Sequence, residues 1–354
     1  MKPINSLPFV SIIMPVRNEA SFIERGLETV LSQDYPSDRL EVLVVDGMST
    51  DATREIVNSV QNRHPQVRLI DNLGRIVPTG LNAALAQARG EIIVRVDGHC
   101  EIAPDYVRRC VDHLLKDGVD GVGGPLETIG DTSLAKAIAT AMSSSFGVGG
   151  SAFRTVTNKT MLADTVAFPA YTRSIMDRAG GFDEELVRNQ DDEYNYRLRK
   201  LGARILLAAD VQARYYSRTS LRSLWRQYFQ YGYWKVRVLQ KHPRQMQPRQ
   251  FVPPLFVAAL LFTLLLIPFS LITGCLLGLA IAGSYLIVNL AASVLAARHA
   301  KWRLLPYLPI IFTVLHLSYG LGFLIGLASF WNRWKAPDNP TSAAEVVVRG
   351  AERI

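Results

Sequence analysis

From Phe251 to Trp331 the chain carries no Asp or Glu, and its basic residues gather at Arg298, Lys301 and Arg303. This constrains the fold more than any other feature. Lipid offers no partner to bare backbone polar groups, so apolar stretches of about 20 residues cross a bilayer as helices. The stretch from about Leu255 to Val294 is long enough for two spans with a turn near Thr273-Gly274. A third stretch, about Leu304 to Phe330, spans once with kinks at Pro306 and Pro309, or is re-entrant. His316, alone within it, reads as a packed histidine rather than a ligand.

The charge is equally uneven. The formal net charge is +8, yet no acid occurs between Asp210 and Asp338, while nine Lys and Arg residues accumulate from Arg214 to Arg249. Beside apolar spans such a block favours an anionic cytoplasmic leaflet, at about 1 kcal/mol per basic residue near the surface. Nucleic acid is not expected as a partner, because no nucleic-acid motif accompanies the basic block. After two spans the basic loop at Arg298 to Arg303 returns to the side of the N-terminal part, which the positive-inside rule places in the cytoplasm; Arg333 and Lys335 argue mildly for a third segment that returns as well. Three cysteines, Cys100, Cys110 and Cys275, lack metal-ligand spacing and predict no disulfide framework. Met1 to Pro8 contains no extended apolar core, so no signal peptide is expected.

The first 210 residues have ordinary globular composition and alternate short β-branched runs with helical patterns. Strands are expected at Phe9 to Met14, Leu40 to Val45, Val67 to Asp71 and Glu91 to Asp97. Helices are expected at about Ser21 to Ser32, Thr53 to Arg63 and Pro78 to Ala88, the first opened by a capping box of Ser21 and Glu24. This alternation predicts an α/β fold with a mostly parallel sheet and helices on both faces. Neither GxGxxG nor a Walker A sequence occurs, which argues against dinucleotide and P-loop sites. Acids close the strands instead: Asp46 after the second, Asp97 after the fourth. Such edges collect ligands. Acids there can bind a ribose hydroxyl, a base edge or a metal, and Arg17 and Arg75 can meet phosphate. Asp51 reads equally as a capping residue of the helix after it.

Asp97 and His99 lie two residues apart across Gly98, a spacing that lets both turn toward one ion. With Pro15-Val16-Arg17-Asn18-Glu19, Asp46 to Asp51 and Gly80-Leu81-Asn82, this run resembles the family 2 inverting glycosyltransferases with a GT-A fold, over roughly residues 8 to 240. The resemblance implies a nucleotide-sugar donor held by Pro15, Arg17, Glu19, Asp46, Asp51, Asn82 and Asp97. It also implies a divalent metal, Mn2+ or Mg2+, on Asp97 and His99. His99 stands where the family more often has Asp, and imidazole suits Mn2+ better than Mg2+.

Further along, Gly121-Val122-Gly123-Gly124-Pro125 reads as a tight turn. Asp131 to Lys159 is rich in Ser, Ala and Gly and reads either as a mobile loop or as a surface excursion. In Asn189-Gln190-Asp191-Asp192-Glu193 the acids precede a helix whose Tyr194, Leu198 and Leu201 form an apolar face, so helix capping is one reading. The resemblance implies another: Asp191 as catalytic base, with Asp192 as runner-up and Gln190 where Glu is usual. Ser220 to His242 mixes aromatic and basic residues at helical spacing and predicts an in-plane amphipathic segment.

The expected organisation is thus a GT-A catalytic domain (1–215), a basic interfacial segment (216–250), a membrane domain of about three spans (251–332) and a polar tail (333–354). The resemblance is to exopolysaccharide enzymes of the succinoglycan type. It implies a multi-pass enzyme of the inner (plasma) membrane with a cytoplasmic catalytic domain, moving one sugar from UDP-glucose to a polyprenyl-diphosphate-linked saccharide, with other polysaccharide-assembly proteins as partners. Two rivals are a polyprenyl-phosphate glycosyltransferase and a non-catalytic scaffold.

Overall fold

The computed structural model describes residues 7–334. The predicted tail beyond Trp334, including Lys335, lies outside the described residues. In chain order the first part contains β1 (Val10–Val16), α1 (Ile23–Leu31), β2 (Leu40–Asp46), α2 (Thr53–Arg63), β3 (Val67–Asp71), α3 (Val77–Leu85), β4 (Ile92–Arg95), β5 (Cys100–Ile102), α4 (Tyr106–Lys116), β6 (Gly121–Gly124) and β7 (Leu126–Ile129). Three helices follow: α5 (Ser133–Met142), α6 (Ser145–Val148) and α7 (Ala152–Thr155). The chain then continues through β8 (Met161–Leu162), β9 (Ala167–Thr172), α8 (Arg173–Ala179), α9 (Gln190–Lys200), β10 (Ile205–Leu207) and β11 (Ala213–Tyr216).

Contacts divide the molecule into two compact units. One holds the described residues up to Glu127 together with Val156–Tyr215; the other holds Thr128–Thr155 and the described residues from Tyr216 to Trp334. In the first unit an eight-stranded sheet runs β3-β2-β1-β4-β9-β6-β10-β8. The predicted parallel set is present: β1 pairs in parallel with β2 and β4, and β2 with β3. It is not uniform across the sheet. β9 lies antiparallel between β4 and β6. The sheet is therefore mixed, and β9 connects the two halves of the site described below.

Strand alternation sets the two faces of this sheet. Ile13, Leu43, Val45, Ile93 and Tyr171 point to one side and form a buried cluster with Leu81 of α3, Ile175 of α8, and Tyr194 and Leu198 of α9. Of the predicted apolar face of α9, Leu201 remains 38% exposed.

Three local expectations are corrected. α1 begins at Ile23 after Phe22, with no side-chain cap, so Ser21 and Glu24 form no capping box; Glu19 accepts the Phe22 and Ile23 amides through its carbonyl and starts the turn instead. The glycine run at 121–124 is the buried strand β6, not a turn. A Cβ on Gly121 would lie 2.9 Å from the Tyr171 ring and one on Gly124 1.4 Å from the Val211 carbonyl oxygen, so close packing excludes side chains there. The Asp131 to Lys159 segment is largely helical rather than loop, and α5 and α6 pack on a long apolar helix of the second unit.

That second unit continues with α10 (Leu221–Lys241), α11 (Val252–Leu266), α12 (Leu271–His299) and α13 (Leu308–Ser329). Three helices, Pro248–Leu266, Leu271–His299 and Leu308–Ser329, are long and apolar enough to cross a membrane. The turn between the first two lies at 267–270, where Ser270 caps α12, rather than at Thr273-Gly274. Pro309 occupies the first turn of α13, where its missing N–H costs nothing, and causes no kink inside the helix. α10 packs its buried side along α13. A Cβ on Gly232 would meet the Tyr319 carbonyl oxygen at 2.0 Å, and one on Gly322 the Phe229 carbonyl oxygen at 2.1 Å, so glycine lets the two backbones approach. His316 is a packed histidine: its Nδ1 lies 3.0 Å from the Tyr285 hydroxyl and its Nε2 2.8 Å from the Phe146 carbonyl oxygen.

Candidate active site

Register brings three loops together at the carboxyl edge of the first unit's sheet. Val16 stands opposite Asp46, and Ile13 opposite Arg95, so the chain leaves β1, β2 and β4 at one edge. The loops interlock. Asn18 donates its amide to Ser49 Oγ at 2.8 Å and accepts the Thr50 amide at 2.9 Å. The Glu19 amide donates to Thr53 Oγ1 at 2.8 Å and the Ala20 amide to Asp51 at 3.1 Å. Asn18, Met48, Arg75 and Asn189 hold positive φ near this edge and at the start of α9. Backbone strain of this kind concentrates at functional sites.

Gly98 serves here through its lack of a side chain. A Cβ on it would lie 2.8 Å from Val16 and 3.4 Å from the Glu19 side chain, so only glycine lets the Asp97-His99 turn close on the loop after β1. His99 Nδ1 consequently sits 3.0 Å from Glu19 Oε1, and the ring packs edge-on against Tyr215 at 5.0 Å. A carboxylate on Nδ1 holds the tautomer that presents Nε2 as a ligand.

The link to the other half of the site is Arg95. It is 7% exposed, on the same strand face as Ile93, and its guanidinium takes two carboxylates. Nε and Nη2 donate to Asp97 Oδ1 at 3.0 and 2.9 Å, while Nη1 donates to Asp191 Oδ1. Asp191 lies in the first turn of α9, where the helix dipole also favours an anion. Its placement is built from β9. The Tyr171 hydroxyl donates to Asn195 Oδ1 at 2.6 Å, and Asn195 Nδ2 donates to the Asp191 carbonyl at 2.9 Å. Burial pushes the Tyr171 phenol well above its ordinary pKa, despite the lowering influence of Arg95, so it remains a neutral donor.

The structure thus joins Asp97 with Asp191 through Arg95, and Glu19 with His99. The other predicted residues are placed differently. Pro15 lies in β1, half-buried, and Arg17 reaches the Arg75 carbonyl at 3.2 Å. Asp46 is fully buried and engaged by Ser49 and by Arg54, whose second contact is Asp71. Asp51 accepts the Thr53 amide and hydroxyl; burial alone would raise its pKa, but these hydrogen bonds and that from Ala20 outweigh it and keep the carboxylate below its usual range. Asn82 grips the turn before α9 by donating to the Phe182 carbonyl and accepting its amide. Asp192 shares the first turn of α9, and Asp191 is the neighbour that reaches Arg95.

Arg95 was the residue sequence reasoning missed. Its signal was available: an arginine inside the run Ile92-Ile93-Val94-Arg95-Val96 must be buried, and a buried guanidinium requires carboxylate partners.

The donor chemistry suits a divalent cation. Asp97 offers a carboxylate and His99 an imidazole whose far nitrogen is fixed by Glu19. Among the described residues no group of three His, Cys, Asp or Glu side chains can hold an ion alone. Asp97 and His99 would supply two ligands to such an ion, leaving the rest of its shell to phosphate oxygens and water.

Known proteins are similar to this chain in sequence and in fold. The profile described as Glycosyl transferase family 2 matches residues 11–180. The succinoglycan biosynthesis protein ExoA of Rhizobium meliloti (strain 1021) is 35% identical over 240 residues, covering 65% of this chain and 70% of that protein. A Methanococcus voltae enzyme, dolichyl N-acetyl-alpha-D-glucosaminyl phosphate 3-beta-D-2,3-diacetamido-2,3-dideoxy-beta-D-glucuronosyltransferase, is 28% identical over 241 residues, covering 66% of this chain and 74% of its own length. Among solved structures, a mannosyltransferase from Pyrobaculum calidifontis in complex with GDP-Man and Mn2+ superposes with a TM-score of 0.57 at 26% identity, covering 94% of this chain and 89% of that one.

Proposed function

Because the chain belongs to glycosyltransferase family 2, we propose that it transfers one sugar, with inversion, from a nucleotide-sugar to a hydroxyl of a lipid-linked saccharide in the synthesis of a cell-surface polysaccharide. The observation that carries this reading is the shared guanidinium: Asp97 and Asp191, one on a strand end and one on a helix start, meet on Arg95. A donor-side carboxylate and a second carboxylate beside it suit a single in-line displacement.

Asp191 takes the proton of the acceptor hydroxyl as it attacks the anomeric carbon from the face opposite the nucleotide. One base is enough, since the diphosphate leaves without needing a proton; glycosidases, by contrast, use two carboxyl groups. Asp97 and His99 would hold the divalent cation, whose contribution when bound is to neutralise charge on the departing diphosphate. Glu19 fixes the His99 ring, and the loop from Asp46 to Asp51 shapes the nucleoside side through its bonds to Asn18 and Ala20.

The donor in this reading is UDP-glucose. The Pyrobaculum structure holds GDP-Man, which makes GDP-mannose the second donor to test. A lipid-linked saccharide acceptor has two supports: three helices able to cross a membrane, and the Methanococcus voltae relative, named for a dolichyl N-acetylglucosaminyl phosphate acceptor. Polyprenyl phosphate as acceptor is the competing chemistry, and it needs no base. Asp191→Asn separates the two. With purified protein, Mn2+ and either donor, the variant is expected to bind donor as tightly as the wild type while transfer falls at least about a hundredfold, within the range attributed to a general base. Transfer at the wild-type rate would refute the hydroxyl acceptor.

A further inference from the structure

Arg95 does more than neutralise one neighbour. A buried guanidinium with three nitrogens committed to two carboxylates from different elements acts as a gauge: its rigid planar fork sets the separation between Asp97 and Asp191. The backbone at each end is itself tied, which leaves the guanidinium to set the two carboxylate side chains. Asp97 closes a turn whose backbone is tied by the Cys100 amide donating to the Asp97 carbonyl at 3.2 Å, and whose Gly98 is pressed against Val16. Asp191 is held through its carbonyl by Asn195, and Asn195 by Tyr171 and, through Nδ2, by Thr165 Oγ1 at 2.9 Å. Tyr171 and Arg95 stand on one face of adjacent antiparallel strands, as the pairing of Ile93 with Tyr171 requires. Strand β4, strand β9 and helix α9 thus form a closed loop of contacts around the guanidinium.

We propose that Arg95 is a positioning residue of the transfer step: it sets the base, Asp191, at a fixed distance from the carboxylate that receives the donor. The proposal rests on the reading of Asp191 as base given above. It assigns Arg95 no contact with the reacting atoms. Its loss therefore acts on turnover rather than on donor affinity. Asp97, released from a competing guanidinium, remains available to the donor and its cation. Misplacing a catalytic group by about 1 Å costs on the order of a hundredfold in rate.

Lysine in place of Arg95 keeps one positive charge between the carboxylates but cannot fork between them. Arg95→Lys therefore tests geometry against charge, and it protects the fold better than a neutral residue, which would leave two carboxylates facing each other. The full-length protein in detergent is assayed as wild type, Arg95→Lys and Asp191→Asn. Donor affinity is measured by calorimetry with UDP-glucose, or whichever of the two donors turns over, plus Mn2+. Turnover is measured with a prenyl-diphosphate-linked saccharide, and folding is monitored by thermal unfolding. For Arg95→Lys the proposal expects a donor Kd within about threefold of the wild type and kcat lowered about a hundredfold. Two outcomes would overturn it: wild-type kcat in Arg95→Lys, or a parallel loss of affinity and kcat, whether or not the melting temperature falls with them. An active Asp191→Asn would instead remove the base, and with it the premise, whatever Arg95→Lys does.

Discussion

Single residues here carry chemistry through their neighbours. His99 is a ligand candidate because Glu19 holds its other nitrogen, and Glu19 reaches it because Gly98 has no side chain to hold the two loops apart. The family's commoner choice at this position is a second Asp, which brings oxygen in place of nitrogen. His99→Asp is therefore expected to retain donor binding and to shift cation preference from Mn2+ toward Mg2+, which prefers oxygen ligands. Donor-dependent calorimetry with each cation checks it. An unchanged Mn2+ to Mg2+ ratio would separate His99 from the cation. At this scale the sequence offers candidates, and the structure adds which of them touch. Asp97, His99 and Asp191 are singled out by the order of motifs that resembles the family, since by residue type alone acids at element ends also cap helices and close turns. The burial of Arg95 can be read from the β-branched run around it, but which carboxylates meet it cannot. Asp46 was legible as a strand-end acid, but not as a fully buried one held by Ser49 and Arg54.

Elements position these residues, and here the sequence was less informative. The parallel half of the sheet could be read from alternating β-branched runs and helices. β9 could not, because an antiparallel strand arriving from far along the chain leaves no local periodicity, although it separates β4 from β6 and anchors α9. Glycines misled for a physical reason. A run of glycine signals a turn when it supplies backbone freedom, but in β6 it supplies absence of volume, with Tyr171, Val166 and Val211 filling the space that side chains would take. Gly124→Ala is thus expected to destabilise the protein by about 3 kcal/mol or more, since overpacking against backbone cannot be relieved by a side-chain rotation. Thermal or denaturant unfolding measures it; a melting temperature equal to the wild type would show that β6 can move away from Val211.

For the whole molecule the decisive features were the acid-free apolar region and the order of motifs. The first led to three helices able to cross a membrane, with the inter-helix turn misplaced by a few residues because Ser270, not Gly274, opens α12. The second led to the family, which the 35% identical Rhizobium protein and the matching profile bear out. Less legible was that residues 128–155 belong with the helices of the second unit, since Ser, Ala and Gly there suit both a loop and close helix packing. The proposed transfer has one stereochemical consequence, because a lone base opposite a departing diphosphate would leave a single route to the anomeric carbon. Incubation of the purified protein with α-linked UDP-glucose or GDP-mannose, Mn2+ and a prenyl-diphosphate-linked saccharide, followed by NMR of the new glycosidic linkage, measures it. The account predicts a β-linked product; an α-linked product would contradict it.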